Sequence, residues 1–261
     1  KRRTLTAFMT AVAMTGVCTA AFAGTDHYND SSITGSQTGW DEWVANWEET
    51  SADYTKVSIT PGADETQLNF AWYSEKTDSE ATPVVHFGTD KDALEAYTGT
   101  AGDVDPSLTG DVAYAYNHVT VTGLEPNTTY YYTVEKNGEQ SEVSEYKTKD
   151  LDTVKILYVG DPQVGASKGQ AQNGEELVAD DGAANTAARN DGFAWNRTLT
   201  AALEQNPDIN FMISAGDQVN KTGKPKEEEY ASYLSADVLS GLATATTIGN
   251  HDSLNEDYMY H

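Results

Sequence analysis

Val154-Lys155-Ile156-Leu157-Tyr158-Val159-Gly160-Asp161-Pro162-Gln163 is the stretch on which the fold turns. The apolar run Val154–Val159 reads as a buried strand of a parallel sheet, and it stops at a Gly-Asp pair. Two more runs end the same way. Ile209–Ser214 leads into Gly216-Asp217-Gln218-Val219-Asn220, and Thr244–Ile248 leads into Gly249-Asn250-His251-Asp252. Between the strands, Phe193–Gln205 has helical spacing at Trp195, Leu199, Ala202 and Leu203, closed by Asn206-Pro207. Glu227–Leu239 repeats that spacing with Tyr230, Leu234 and Val238 on one face. The order β-α-β-α-β predicts a parallel sheet with right-handed crossovers. Gly165–Asp191, polar and rich in Gly, Ala, Asn and Asp, reads as a surface excursion.

The carboxyl ends of neighbouring parallel strands line one crevice, where ligands bind. Asp161, Asp217, Asn250 and His251 are expected to meet there. Oxygen and imidazole groups of this kind suit Mn²⁺, Zn²⁺ or Fe. A shared carboxylate can bridge two cations about 3.5–4 Å apart.

Upstream, residues 53–149 read as an all-β module. Short alternating runs recur at Lys56–Thr60, Gln67–Tyr73, Val84–Gly88, Tyr114–Val121, Tyr130–Glu135 and Glu142–Lys147. Turns such as Pro61-Gly62 and Asn137-Gly138 separate them, the pattern of a sandwich. Tyr130, Tyr132 and Val134 share one strand face. Gly123-Leu124-Glu125-Pro126-Asn127-Thr128-Thr129-Tyr130 resembles the fibronectin type III pattern, which implies a tyrosine-corner hydrogen bond from Tyr130.

Residues 24–52 form a flexible lead-in and a short Trp-rich helix. Trp40, Trp43 and Trp47 are spaced for one helical face, Thr38 with Asp41 fits a capping box, and the indoles are expected to pack on the next domain. Residues 1–23 begin with Lys1, Arg2 and Arg3, continue without charge, and end in Ala21-Phe22-Ala23. This is a secretory signal pattern, too short and too rich in Thr for a permanent membrane helix. A secreted, extracellular protein is expected, with no stable membrane insertion after cleavage. The chain starts without an initiator Met. Its one cysteine, Cys18, lies in the leader, so thiolate cages and intrachain disulfides are excluded. The net charge of −25 excludes general binding of nucleic acid.

The ordered set of Gly160-Asp161, Gly216-Asp217 and Gly249-Asn250-His251-Asp252 resembles the calcineurin-like metallophosphoesterase superfamily. With a fibronectin-like module in front, the chain resembles a bacterial-type secreted purple acid phosphatase. The resemblance implies an α+β multidomain fold: an all-β sandwich at 53–149, then the N-terminal part of an α/β metallophosphoesterase domain at 152–261. It implies two metal ions (Fe, Zn or Mn), with Asp161 on the first, Asp217 bridging both and Asn250 on the second. His251 would contact the phosphate or protonate the leaving alcohol, and Asp252 would orient His251. Gln163 stands where many relatives carry His, and it could ligate through its amide oxygen. Asn220 stands where purple acid phosphatases carry the coloured centre's Tyr, so that centre is not expected from it. Further His ligands would come from motifs beyond residue 261. His27, His86, His118 and His261 read as non-ligands. The implied reaction is hydrolysis of small phosphate monoesters by a metal-bound hydroxide. The rivals are a phosphodiesterase or nucleotidase on the same site, and a non-catalytic exported adhesion module.

Overall fold

The computed structural model describes residues 38–76, 82–110, 112–136, 138–166, 186–223 and 225–261. The leader at 1–23, the lead-in at 24–37 and the greater part of the polar excursion, residues 167–185, lie outside them.

The expected single Trp-bearing helix is two short ones, α1 (Trp40–Ala45) and α2 (Trp47–Ala52), broken at Asn46. The capping box does not form. α1 starts from Gly39, whose left-handed backbone (φ 87°) suits glycine and brings no side-chain cap.

Among the described residues nine strands follow: β1 (Ser58–Pro61), β2 (Gln67–Glu75), β3 (Val84–Gly88), β4 (Glu95–Thr98), β5 (Thr100–Asp103), β6 (Tyr114–Thr122), β7 (Thr129–Lys136), β8 (Glu139–Gln140) and β9 (Ser144–Lys147). They form two antiparallel sheets. One has the order β1-β2-β6-β5; the other has β4-β3-β7, with β8 and β9 on the far side of β7. The inner faces meet in one core: Ile59, Leu68, Phe70, Trp72, Val119 and Val121 against Val85, Phe87, Tyr130, Tyr132, Val134 and Tyr146. Trp72 is fully buried and satisfies its indole N–H on the Glu135 carbonyl at 3.1 Å. Tyr130 forms the expected corner: its hydroxyl accepts the Glu125 N–H at 2.7 Å.

Strands β4 and β5 were not foreseen. They are the two sides of a switch between sheets, since β4 pairs with β3 and β5 with β6. Gly99 sits at the switch, where any Cβ would fall 1.8 Å from the His118 carbonyl oxygen. Four-residue strands with mostly exposed side chains show no alternation to read.

Three parallel strands, β10 (Ile156–Gly160), β11 (Phe211–Ala215) and β12 (Thr244–Thr247), form the second unit's sheet in that order. Helix α3 (Thr186–Gln205) connects β10 to β11, and α4 (Glu227–Leu234) connects β11 to β12. The expected helix Glu227–Leu239 is shorter: Ala236 is extended, and Asp237–Ser240 is a separate 3₁₀ turn. Leu157, Val159 and Met212 pack under Trp195, Leu199, Tyr233, Leu239 and Leu242. Trp195 stacks on Tyr233 at 5.3 Å. The three N-terminal indoles serve this unit too. Trp40 packs edge-on against Phe193 at 5.2 Å, Trp43 donates to the Arg189 carbonyl at 2.8 Å, and Trp47 joins the core beneath α3.

β10 is buried on one face only, against the expectation of burial on both. Leu157 and Val159 face the core, whereas Ile156 and Tyr158 are 47% and 69% exposed. These two side chains leave apolar surface on the sheet side opposite the helices. The double substitution Ile156→Thr and Tyr158→Ser is therefore expected to lower binding of a hydrophobic dye and slow aggregation. The urea midpoint should shift by no more than the equivalent of ~0.5 kcal/mol per site. Unchanged dye binding would show that this face is not the exposed apolar surface.

Candidate active site at the parallel strand ends

The segments after β10, β11 and β12 are brought together by the sheet register, in which Gly160 pairs with Ala215 and Ala215 with Thr247. The first two loops stay zipped beyond the strands. Gln163 N–H donates to the Asp217 carbonyl (2.8 Å), Val164 N–H to that of Gln218 (3.1 Å), and Asn220 N–H to that of Val164 (3.0 Å). Asp161, Gln163 and Asp217 all adopt left-handed backbone, with φ of 52°, 41° and 47°. Non-glycine residues there cost about 1–3 kcal/mol each and concentrate at functional sites. Gly249 leaves room for the Asp217 carboxylate: a Cβ on it would lie 2.0 Å from Asp217 Oδ1.

That oxygen accepts the His251 N–H at 2.9 Å. The His251 ring is held from both sides. Its Nδ1 bonds the main-chain carbonyl of Asn220, and its Nε2 lies 3.0 Å from the Gln163 amide nitrogen. A carbonyl only accepts, so Nδ1 carries the proton and Nε2 presents a lone pair to the Gln163 NH₂.

Asp252, expected to orient His251, has its carboxylate on other partners. The Asp252 carboxylate is fully buried and accepts Gln218 N–H at 3.1 Å through Oδ1 and Gly249 N–H at 2.9 Å through Oδ2. It clamps the second loop to the third, and the Asn220 carbonyl performs the orienting of His251. Asn220 therefore meets the site through its main chain, and Gln163 through its amide nitrogen on His251. Asp161 and Asn250 are exposed at the ends of their strands. His261 bonds Glu227, His86 bonds Glu135 and His118 bonds the Tyr260 carbonyl; His27 lies outside the described residues.

Two carboxylates behind the site, half-buried Asp191 and buried Glu229, escaped the reading of the sequence. Asp191 on α3 accepts Gly165 N–H at 2.9 Å, and Glu229 on α4 accepts Lys221 N–H at 2.7 Å. Each anchors one site loop to a helix behind it. Glu227-Glu228-Glu229 reads as an acidic first helical turn, and nothing in the run marks which members turn inward.

Among the described residues, no group of three or more His, Cys, Asp and Glu side chains is placed to hold a metal ion. The oxygen-bearing side chains at the three adjacent strand ends are the Asp161 and Asp217 carboxylates and the Asn250 carboxamide. By chemistry they suit the oxygen side of a site for a hard divalent cation. They do not by themselves complete two sites.

Burial pushes Glu229 up from 4.5 to about 7, with the Asp191 charge adding and the Lys221 and Asn220 N–H groups opposing. Folding therefore favours its protonated form. Its contribution to stability is fully present below about pH 4.5 and is lost as pH rises through about 7. This group alone is expected to make the protein about 3 kcal/mol less stable at about pH 8 than at pH 4.5. Urea titrations of Glu229→Gln should show a flatter pH profile than the parent over that window. Parallel profiles would refute the assignment.

Comparison with known proteins bears on this arrangement. Residues 54–148 match the family model described as Purple acid Phosphatase, N-terminal domain. Among solved structures, the chain is similar to the purple acid phosphatase PPD1 from yellow lupin (Lupinus luteus) seeds, with TM-score 0.50 and 16% identity over 76% of this chain and 35% of that one. It is also similar to PhoD, with TM-score 0.43 and 14% identity over 75% of this chain and 38% of that one. The chain thus spans little more than a third of the solved chains it matches. No curated protein matches its sequence. The likeness in fold to the lupin protein covers more of this chain than the matched domain does. Residues 54–148 thus match the N-terminal domain of purple acid phosphatases, and the rest of the chain is like the lupin protein in fold.

Proposed function

We propose that this protein is a secreted, metal-dependent phosphoesterase acting on small phosphate monoesters. The reading is supported by the placement of Asp161, Asp217, Asn250 and His251 just beyond three adjacent parallel strand ends, with left-handed backbone at Asp161 and Asp217. Export is read from the pattern of residues 1–23. No helix among the described residues is long and apolar enough to cross a membrane.

Asp161, Asp217 and Asn250 would hold cation through oxygen. Asp217 Oδ1 is already engaged by the His251 N–H, which leaves Oδ2 for ligation or bridging. A second cation, of the Fe, Zn or Mn type, would need ligands beyond these residues. When bound, the metal would offset charge on the phosphoryl oxygens and acidify an attacking water. The remaining steps belong to the chain. His251 is pinned at its main-chain N–H and at Nδ1, so Nε2 is the nitrogen free to exchange a proton with substrate. Gln163 suits both protonation states of that atom: its NH₂ donates to the neutral ring, and a flipped carboxamide would accept from the charged one. Only the charged ring carries a proton on Nε2, and in that form it would give that proton to a departing alcohol and return to the neutral Nδ1–H ring.

The test is divalent-metal-dependent hydrolysis of nitrophenyl and alkyl phosphates. Asp217→Asn should remove most bound metal and nearly all turnover. His251→Ala should keep the metal and lower kcat for alkyl esters ~10²–10⁴-fold, with a smaller loss for nitrophenyl esters, whose leaving group needs no proton. Full activity in Asp217→Asn, or equal losses on both ester types in His251→Ala, would contradict these roles.

A further inference from the structure

Lys226 and Glu227, at the start of α4, are each only 1% exposed. A lysine removed from water needs compensation. Lys226 Nζ donates to the His251 main-chain carbonyl at 3.1 Å and forms an ion pair with the fully buried Asp257 at 3.3 Å, above the face of Tyr230. Glu227 points the other way, toward the outer face of the sandwich sheet that contains β2. Its Oε1 accepts the hydroxyl of Tyr73 at 3.0 Å, and its Oε2 lies 2.7 Å from His261 Nε2. Tyr73 lies on β2, is fully buried, and stacks on the His261 ring at 4.8 Å. A chain of contacts therefore runs from the N-terminal domain through two consecutive residues to the His251 carbonyl.

His251 is consequently gripped at every polar point: its N–H by Asp217, its carbonyl by Lys226, and its ring by Asn220 and Gln163. Lys226 does not touch the ring, so its effect can only be through backbone position. We propose that Lys226 is a positioning residue for His251, and that Tyr73, by anchoring Glu227, makes the N-terminal domain part of the support of the site. The tie between domain and loop stands on geometry; its catalytic meaning rests on the phosphoesterase reading above.

Tyr73→Phe deletes one hydroxyl without changing shape. Lys226→Met with Asp257→Asn removes the buried pair together and leaves no lone charge. Amide hydrogen exchange of residues 249–254 should rise about tenfold in both variants, the effect of losing one hydrogen bond of ordinary net strength, while strand β6 keeps its protection. Nitrogen-15 spectra of the histidine ring should show the single Nδ1–H form of His251 giving way to a tautomer mixture, a change that loosened packing elsewhere would not produce. Unchanged exchange and an unchanged ring signal in the double variant would overturn the role of Lys226. The same result in Tyr73→Phe alone would overturn the part played by the N-terminal domain. If both variants loosen the loop in a protein that hydrolyses no phosphate ester, the positioning stands and the phosphoesterase reading fails.

Discussion

The site depends on one buried carboxylate that never reaches substrate. Asp252 accepts the main-chain N–H groups of Gln218 and Gly249, so the loops after β11 and β12 behave as one piece. Without that clamp, Gly249 would have no reason to lie against the Asp217 carboxylate, and the His251 N–H would lose its acceptor. A buried carboxylate left without these donors would cost several kcal/mol, so the bonds and the burial enforce each other. Asp191 and Glu229 apply the same device from behind. Three carboxylates on elements of regular or 3₁₀ structure thus fix loops whose strained backbone could not hold its shape alone.

A second layer of support comes from the junction of the two units. Tyr132 of the sandwich donates to the Ser240 carbonyl at 2.8 Å, Ala243 enters the sandwich core, and Tyr260 stacks on Tyr116 at 4.9 Å. These contacts are apolar or single hydrogen bonds between neutral groups, which suits a fixed brace better than a hinge. The polar cluster of Tyr73, Glu227, Lys226 and Asp257 lies within this dry junction, where each pairing is stronger than it would be in water.

What could be read from the sequence was what is local. Glu125 and Tyr130 are five residues apart, and the corner they make was visible in Leu124-Glu125-Pro126-Asn127-Thr128-Thr129-Tyr130. The Gly-Asp and Gly-Asn-His-Asp endings were visible because each strand carries its chemistry on its own last turn. What stayed hidden was set by partners far along the chain. Asp252 was assigned to its neighbour His251, yet its carboxylate serves Gln218, 34 residues away, as well as nearby Gly249. Tyr73 and Glu227 meet across 154 residues. Exposure of one face of β10 was equally hidden, because the run Ile156-Leu157-Tyr158-Val159 is apolar throughout and periodicity cannot assign its faces.

The charge of the chain makes its own demand on the proposed chemistry. A net charge of −25 repels a phosphate ester at long range, although salt screens that repulsion beyond about 8 Å. Within that distance the strand ends present Asp161 and Asp217. Lys226 is buried, with Nζ committed to the His251 carbonyl and to Asp257, so it cannot meet a phosphate. On the proposed reading, a cation held by those carboxylates would supply attraction for the ester that they lack themselves. Cation and substrate should then strengthen each other's binding at these strand ends by the same factor.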